Sequence, residues 1–197
     1  FFRDLVIPEK WKNDLGQVHR EIAEYMTRPF RKDQVLFLVP REHLKTTQIT
    51  IGETTRLAIK NPELRFFLCH HKHKKAIKYL AGIKGFLMRP RVVELFGNLL
   101  PEDKYRSDNL EELTLASRMD LSIREATFTT AGIDKEDQSG HFDFMILDDL
   151  VTERNCNTGE QLEKGFEYFS SSLDLLDKRT GQLWLVGTWH HPLDIYG

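Results

Sequence analysis

Apolar residues gather in short runs that end abruptly in polar ones. The runs at 35–39, 64–69, 142–147 and 183–186 are of strand length and bounded by turn or charged residues, which predicts buried β-strands over 35–39, 64–69, 142–149 and 182–188. Between them the spacing changes to a helical one. Val18, Ile22, Tyr25 and Met26 predict a helix over 16–28, and residues 45–60 predict a second, stopped by Asn61-Pro62. Ala76, Leu80, Ile83 and Leu87 mark a third over 74–88, with a short one after it over 91–100. Leu162, Phe166, Phe169, Leu173 and Leu176 form an apolar stripe of a further helix, taken as core packing. Residues 113–118 and 122–130 are expected to be two strands joined at Met119-Asp120, an edge β-hairpin. Strands alternating with helices imply an α/β fold: a mostly parallel central sheet with helices on both faces.

Composition adds little to that picture. The chain has 197 residues, 40% of them hydrophobic and 29% charged, which fits a globular domain with a sizeable core. One domain is expected over 1–197, with an apolar-aromatic lead (Phe1, Phe2, Trp11) and helix over 1–30 and a core over 31–197. The start without Met and the stop just after a strand suggest an excised domain. No apolar run approaches the ~20 residues of a membrane span. Cys69 falls in an apolar strand and Cys156 in a polar loop, which predicts reduced thiols in a cytoplasm and no disulfide. The run Cys69-His70-His71-Lys72-His73 is too crowded for a zinc site and belongs at a strand end near a cleft or on the surface.

Charge is unevenly spread. Residues 1–91 carry 19 Lys and Arg against 9 Asp and Glu, while the rest of the chain is acidic. Lys72, Lys74, Lys75, Lys78, Lys84, Arg89 and Arg91 form a basic cluster. It suits either a polyanion such as DNA or a solvated helix face.

The candidate chemistry sits where predicted strands end. Residues 35–48 read as a strand, a polar loop and a helix start, with Lys45 and Thr46 at the junction. There, backbone N–H groups and the positive helix end face an anion, Lys adds charge, and a hydroxyl reaches Mg²⁺. The motif G-x-x-x-x-G-K-[ST] is not met, because Val39 and Leu44 stand where its glycines would be. The strand over 142–149 ends in Asp148 and Asp149, at the edge where parallel sheets bind ligands. One carboxylate can hold a metal's water shell while its neighbour polarises an attacking water, as phosphoanhydride hydrolysis requires. A third strand ends at Gly187-Thr188, a small polar step able to sense a γ-phosphoryl group.

With these three segments the chain resembles the ATPase domain of phage large terminase subunits, the DNA-packaging motors. The likeness rests on Pro40-Arg-Glu-His-Leu-Lys-Thr-Thr47, on residues 141–153 and on Gly187-Thr-Trp-His-His-Pro-Leu-Asp-Ile-Tyr-Gly197, and extends from about Gly16 to the end. It implies a P-loop NTPase of the ASCE/RecA-like kind and Mg²⁺-dependent ATP hydrolysis. Pro40, Arg41, Glu42, His43, Leu44, Lys45, Thr46 and Thr47 would bind the nucleotide, and Gln17 would read the adenine edge. Lys45 would lie against the β- and γ-phosphates and Arg41 would contact phosphate. Thr46 and Asp148 would hold Mg²⁺, and Asp149 would orient the water. Gly187 and Thr188 would couple hydrolysis to motion.

Implied partners are double-stranded DNA, a homo-oligomeric ring on a portal or procapsid, and the small terminase subunit, in the host cytoplasm with no membrane. Terminases also carry a nuclease domain that this chain lacks, so DNA cleavage is not expected. The chain departs from the family in three places. Glu42 and Leu44 replace residues that are often Gly and Ala, and Asp149 stands where most motor ATPases have Glu. Gln138-Ser139-Gly140 lacks the Arg that reaches a neighbouring subunit in some terminases, leaving Arg118 or Arg124 as candidates for that role. A helicase-like or DNA-repair phosphate-loop ATPase, and a degenerate nucleotide-binding or scaffolding module, are the alternatives.

Overall fold

In the computed structural model, residues 1–7, 15–28, 34–133, 139–153, 155–190 and 195–196 are described. Trp11, Gln138, the boundary at 30/31 and residues 191–194 and 197 of the third motif lie outside them. The described chain runs through a short π-turn (Phe2–Val6), α1 (Gln17–Met26) and β1 (Gln34–Leu38). A π-helical stretch (Thr46–Glu53) then leads into α2 (Thr54–Lys60), followed by β2 (Phe66–His70), α3 (His73–Leu87) and α4 (Pro90–Phe96). After β3 (Glu112–Leu113), β4 (Phe128–Gly132) and β5 (Phe144–Asp148) come α5 (Gly159–Ser172) and β6 (Gln182–Gly187).

The six strands form one sheet in the order β1-β6-β5-β2-β4-β3. All pairings are parallel except the short antiparallel contact of β3 with β4. The molecule is therefore α/β, with a mostly parallel sheet flanked by helices. No helix among the described residues is long and apolar enough to cross a membrane.

Burial on both faces explains the uninterrupted apolar runs. Alternate residues of one strand enter two different cores. Phe66, Leu68, Phe144 and Ile146 pack on one face with Leu57, Leu80 and Ile83, while Phe67, Cys69, Met145 and Leu147 join the core on the other face. A row of rings crosses the first face: Phe66 stacks on Phe128 at 5.2 Å and on Phe144 at 5.1 Å, and Trp184 meets Phe144 edge-on at 5.2 Å. Each such pair adds about 0.5–1.5 kcal/mol beyond its buried area.

Two sequence expectations change. Phe166 is 60% exposed; α5 instead turns Leu162, Tyr168 and Phe169 inward, and the Tyr168 hydroxyl meets the Cys69 sulfur at 3.0 Å. The edge hairpin over 113–118 and 122–130 is also corrected. An antiparallel edge contact exists, but only Glu112–Leu113 pairs with β4, and 114–127 is irregular because it wraps around Arg118. That side chain is 1% exposed and donates to the carbonyls of Pro62 (3.1 Å), Glu63 (3.2 Å), Leu64 (3.1 Å) and Glu125 (2.6 Å). The Glu125 bond ties the irregular segment back to residues 62–64 through this one side chain. Arg118 is thus an internal clasp, in no position to reach a neighbouring subunit. Arg118→Ala should strip four buried acceptors of their donor and lower stability by about 3 kcal/mol or more, read from urea unfolding.

The basic cluster divides as well. Lys84 pairs with Asp108 at 2.5 Å, Arg89 donates to the carbonyls of Leu5 and Val6, and Arg91 pairs with Glu94 at 2.7 Å. Lys72, Lys74, Lys75 and Lys78, at the start of α3 or just before it, have no ion-pair partner among the described residues and are exposed.

Candidate functional site

Parallel strands deliver their carboxyl ends to one edge, and the order β1-β6-β5 sets three of them side by side. Val39 N–H donates to the Gly187 carbonyl at 3.1 Å and Asp149 N–H to the Val186 carbonyl at 2.8 Å, so the sheet ladder continues to the brink of the site. A Cβ at Gly187 would lie 2.5 Å from the Tyr196 ring, so any larger residue there must push that ring aside.

Beyond β1 the loop bends sharply. Among the described residues, three other than glycine adopt positive φ: Glu42 (68°), Leu44 (55°) and Asp149 (51°). All three are at this edge. Left-handed backbone costs an L-residue about 1–2 kcal/mol and persists where the surroundings enforce it, as at functional sites. Left-handed Leu44 is followed by right-handed Lys45, the alternation that turns successive N–H groups to one side as an anion-binding nest.

His19 on α1 braces this loop. Gly16 N–H donates to its Nδ1 at 3.1 Å, and its Nε2–H donates to the His43 carbonyl at 3.0 Å. A ring with one acceptor and one donor is the neutral Nε2–H tautomer. Gln48 donates back to the His19 carbonyl at 2.7 Å, and His43 Nδ1–H donates to the Arg41 carbonyl at 2.9 Å.

Lys45 opens the following helix and is 7% exposed. Its ammonium lies 2.9 Å from an Asp149 carboxylate oxygen and donates to Thr188 Oγ1 at 2.8 Å. Thr188 in turn donates to the Val39 carbonyl at 3.1 Å. Side chains from three remote segments thus meet at one point.

Asp148, one step deeper, is fully buried. Thr50 donates to its Oδ2 at 2.7 Å, while Oδ1 is buried without a hydrogen-bond partner among the described residues. Burial, reinforced by the adjacent Asp149 charge, pushes its pKa up to about 7, against the opposing pull of the Thr50 and Thr46 hydroxyls and of Lys45. Burial and the same two carboxylates push the Tyr79 phenol up, so it stays neutral. His70 is pushed down to about 4 by burial first and by His71 second, and its Nδ1 accepts from Lys72 N–H at 2.9 Å. His71 Nδ1–H donates to the Asp149 carbonyl at 3.2 Å.

The raised Asp148 pKa has a sign that can be tested. The folded state holds a proton that the unfolded chain releases near pH 4, so this stabilisation is complete below that pH and lost as pH rises through about 7. Asp148→Asn should therefore stabilise the ligand-free protein at pH 8, by on the order of 4 kcal/mol at most. Its advantage should shrink as pH falls and vanish below about pH 4. An equal gap at both ends of that range in urea unfolding would contradict the assignment.

A buried carboxylate with one unsatisfied oxygen, next to the Thr46 and Thr50 hydroxyls, fits a hydrated Mg²⁺. No group of three or more His, Cys, Asp or Glu side chains among the described residues could hold a metal ion alone. Mg²⁺ needs none, since one or two carboxylates and substrate phosphates suffice.

The other expected site residues lie at the rim. Pro40, Arg41, Glu42 and His43 are exposed and Thr47 is half-buried. Arg41 points to Glu153 at 3.2 Å, and exposed Gln17 donates to Glu21 at 2.6 Å within its own helix. Thr50, Tyr79 and the bracing His19–Gln48 pair escaped assignment from sequence, whereas His71 lies at the strand end beside the cleft, one of the two places expected for the 69–73 run. Only Thr50 left a clear signal, four residues after Thr46 and so on the same helix face. Compared with known protein families and with curated proteins, the chain matches no family model and no curated protein.

Proposed function

We propose that this edge binds ATP with Mg²⁺ and hydrolyses its terminal phosphoanhydride, on a P-loop NTPase fold of the ASCE/RecA-like kind. The observation that carries the proposal is the meeting of Lys45, Asp149 and Thr188 within 3 Å, with Asp148 buried behind them. A site of this composition handles a polyanion: an ammonium for the β- and γ-phosphates, a hydroxyl and a carboxylate for a metal, and a second carboxylate for water.

When bound, Mg²⁺ would supply positive charge against that building on the β- and γ-phosphates. Lys45 would leave Asp149 for the phosphate oxygens, and Thr46 and Asp148 would hold the metal. Asp149, released, would accept a hydrogen bond from a water aligned with the γ-phosphorus. Water adds to phosphorus as the bond to the bridging oxygen breaks, giving ADP and orthophosphate and leaving the proton on phosphate or solvent. Thr188, bonded to Lys45 and to the Val39 carbonyl, would register whether the γ-phosphoryl group is present.

The resemblance of residues 40–47, 141–153 and 187–197 supports one setting for this activity: the motor domain of a large terminase subunit. It would drive double-stranded DNA into a procapsid as a ring on the portal, with a small terminase subunit, in the host cytoplasm. A second reading, nucleotide binding without turnover, is favoured by the side chains of Glu42 and Leu44 at left-handed positions where glycine is easiest. Steady-state phosphate release from ATP decides between them. Hydrolysis that requires Mg²⁺ and stops on chelation supports the first; saturable nucleotide binding with no release supports the second.

A further inference from the structure

We propose that a cavity beside Asp149 receives the orthophosphate leaving the site and serves as its exit station, an inference resting on the hydrolytic reading above. The cavity, about 300 Å³, opens where β2 and β5 end and is lined by Arg41, His71, Lys72, Lys75, Thr152 and Glu153. Its lining is unbalanced in charge. Among the described residues, three permanent cations and an imidazole face a single carboxylate, and that carboxylate, Glu153, already pairs with Arg41. Lys72 and Lys75 have no ion-pair partner among the described residues, in contrast to Lys84 and Arg91 further along the same surface.

Position gives the cavity its role. Asp149 adjoins both places: its carboxylate contacts Lys45 at 2.9 Å, and its carbonyl accepts the N–H of His71, a residue of the cavity lining, at 3.2 Å. In an in-line displacement the phosphoryl group moves away from the bridging oxygen and toward the attacking water. With the water on Asp149, that motion carries the product toward the Asp149 side, where the cavity begins. Solvated lysines on flexible stems hold a small anion loosely, which suits a group that must leave. A duplex backbone phosphate offers the same chemistry, but a concave recess behind His71 suits one tetrahedral anion better than a row of phosphodiesters.

The test uses Lys72→Glu/Lys75→Glu, two exposed side chains outside the hydrolytic cluster. Titration with orthophosphate, followed by ³¹P NMR, should show saturable binding by the wild-type chain and at least about tenfold weaker binding by the double variant. Orthophosphate inhibition of hydrolysis should weaken in parallel, with the KM for ATP changed by less than about twofold. Unchanged orthophosphate affinity overturns the proposal. So does an equal loss of ATP affinity, which would assign the cavity to the nucleotide, or a loss confined to duplex DNA binding. Hydrolysis without variant-sensitive phosphate binding overturns the exit station alone. Variant-sensitive binding without any hydrolysis overturns the reaction and leaves an anion site.

Discussion

Lys45→Ala should lower phosphate release from ATP by at least about 100-fold and weaken nucleotide binding as well. The wild-type ammonium is 7% exposed and held by Asp149 and Thr188, so it is already desolvated and aimed at the place a triphosphate would occupy. Charge-assisted hydrogen bonds contribute about 1.5–3 kcal/mol each. Removing one preorganised donor to developing charge costs about 10²–10³ in rate. Alanine supplies neither, and the folded state should survive, because the helix that Lys45 opens is anchored by Gln48 and Ile49 beneath it. Lys45→Arg should not rescue, since a planar guanidinium cannot take the place of a compact ammonium between two fixed oxygens. Circular dichroism and a fluorescent ATP analogue separate loss of fold from loss of binding; a variant that binds and hydrolyses normally would remove Lys45 from the site.

Asp149→Asn should give the opposite combination: hydrolysis reduced by about 10²–10⁴, with nucleotide binding unchanged or tighter. Asn fits the same space and tolerates φ of 51° as Asp does, so the backbone stays in place. What disappears is the charge that polarises water and that holds Lys45 in the ligand-free protein. With that pair broken, Lys45 keeps only its bond to Thr188 and is freer to engage phosphates. Parallel loss of binding and turnover would instead give Asp149 a structural role. The left-handed backbone also favours Asp over Glu at this position: Asp is several-fold enriched in this conformation, and Glu is not. Asp149→Glu should therefore lower stability by about 1 kcal/mol.

The parts of this fold that were legible in sequence are those buried on both faces. The strands over 142–149 and 182–188 have no polar side to interrupt them and appear as β5 and β6 with ends shifted by a residue or two, whereas β1, expected to be buried over 35–39, is an edge strand with Leu36 and Leu38 exposed. Helix stops at Asn61-Pro62 and Arg89-Pro90 follow from proline's missing N–H. The 113–130 region was not legible, because its course is set by one buried guanidinium gathering carbonyls from two segments. Alternating apolar residues there resemble strands equally well. Phe166 was misplaced because a stripe at helical spacing does not say which edge of it faces the sheet.

At the site, Lys45, Thr46, Asp148, Asp149 and Thr188 could be singled out because each lies where an apolar strand or its loop gives way to polar residues. The left-handed positions could not, since Glu42 and Leu44 carry none of glycine's usual signal. Nor could Tyr79, which sits in the apolar stripe of α3 and reveals its place only through the carboxylates it faces.

A crystal structure of the chain with a non-hydrolysable ATP analogue and Mg²⁺ would decide whether this sheet edge holds the nucleotide. It should show the triphosphate over the 41–46 backbone, Lys45 Nζ moved from Asp149 to the phosphate oxygens, and Mg²⁺ between Thr46 and the shell of Asp148. A nucleotide bound elsewhere, with the 2.9 Å Lys45–Asp149 contact intact, would contradict that placement.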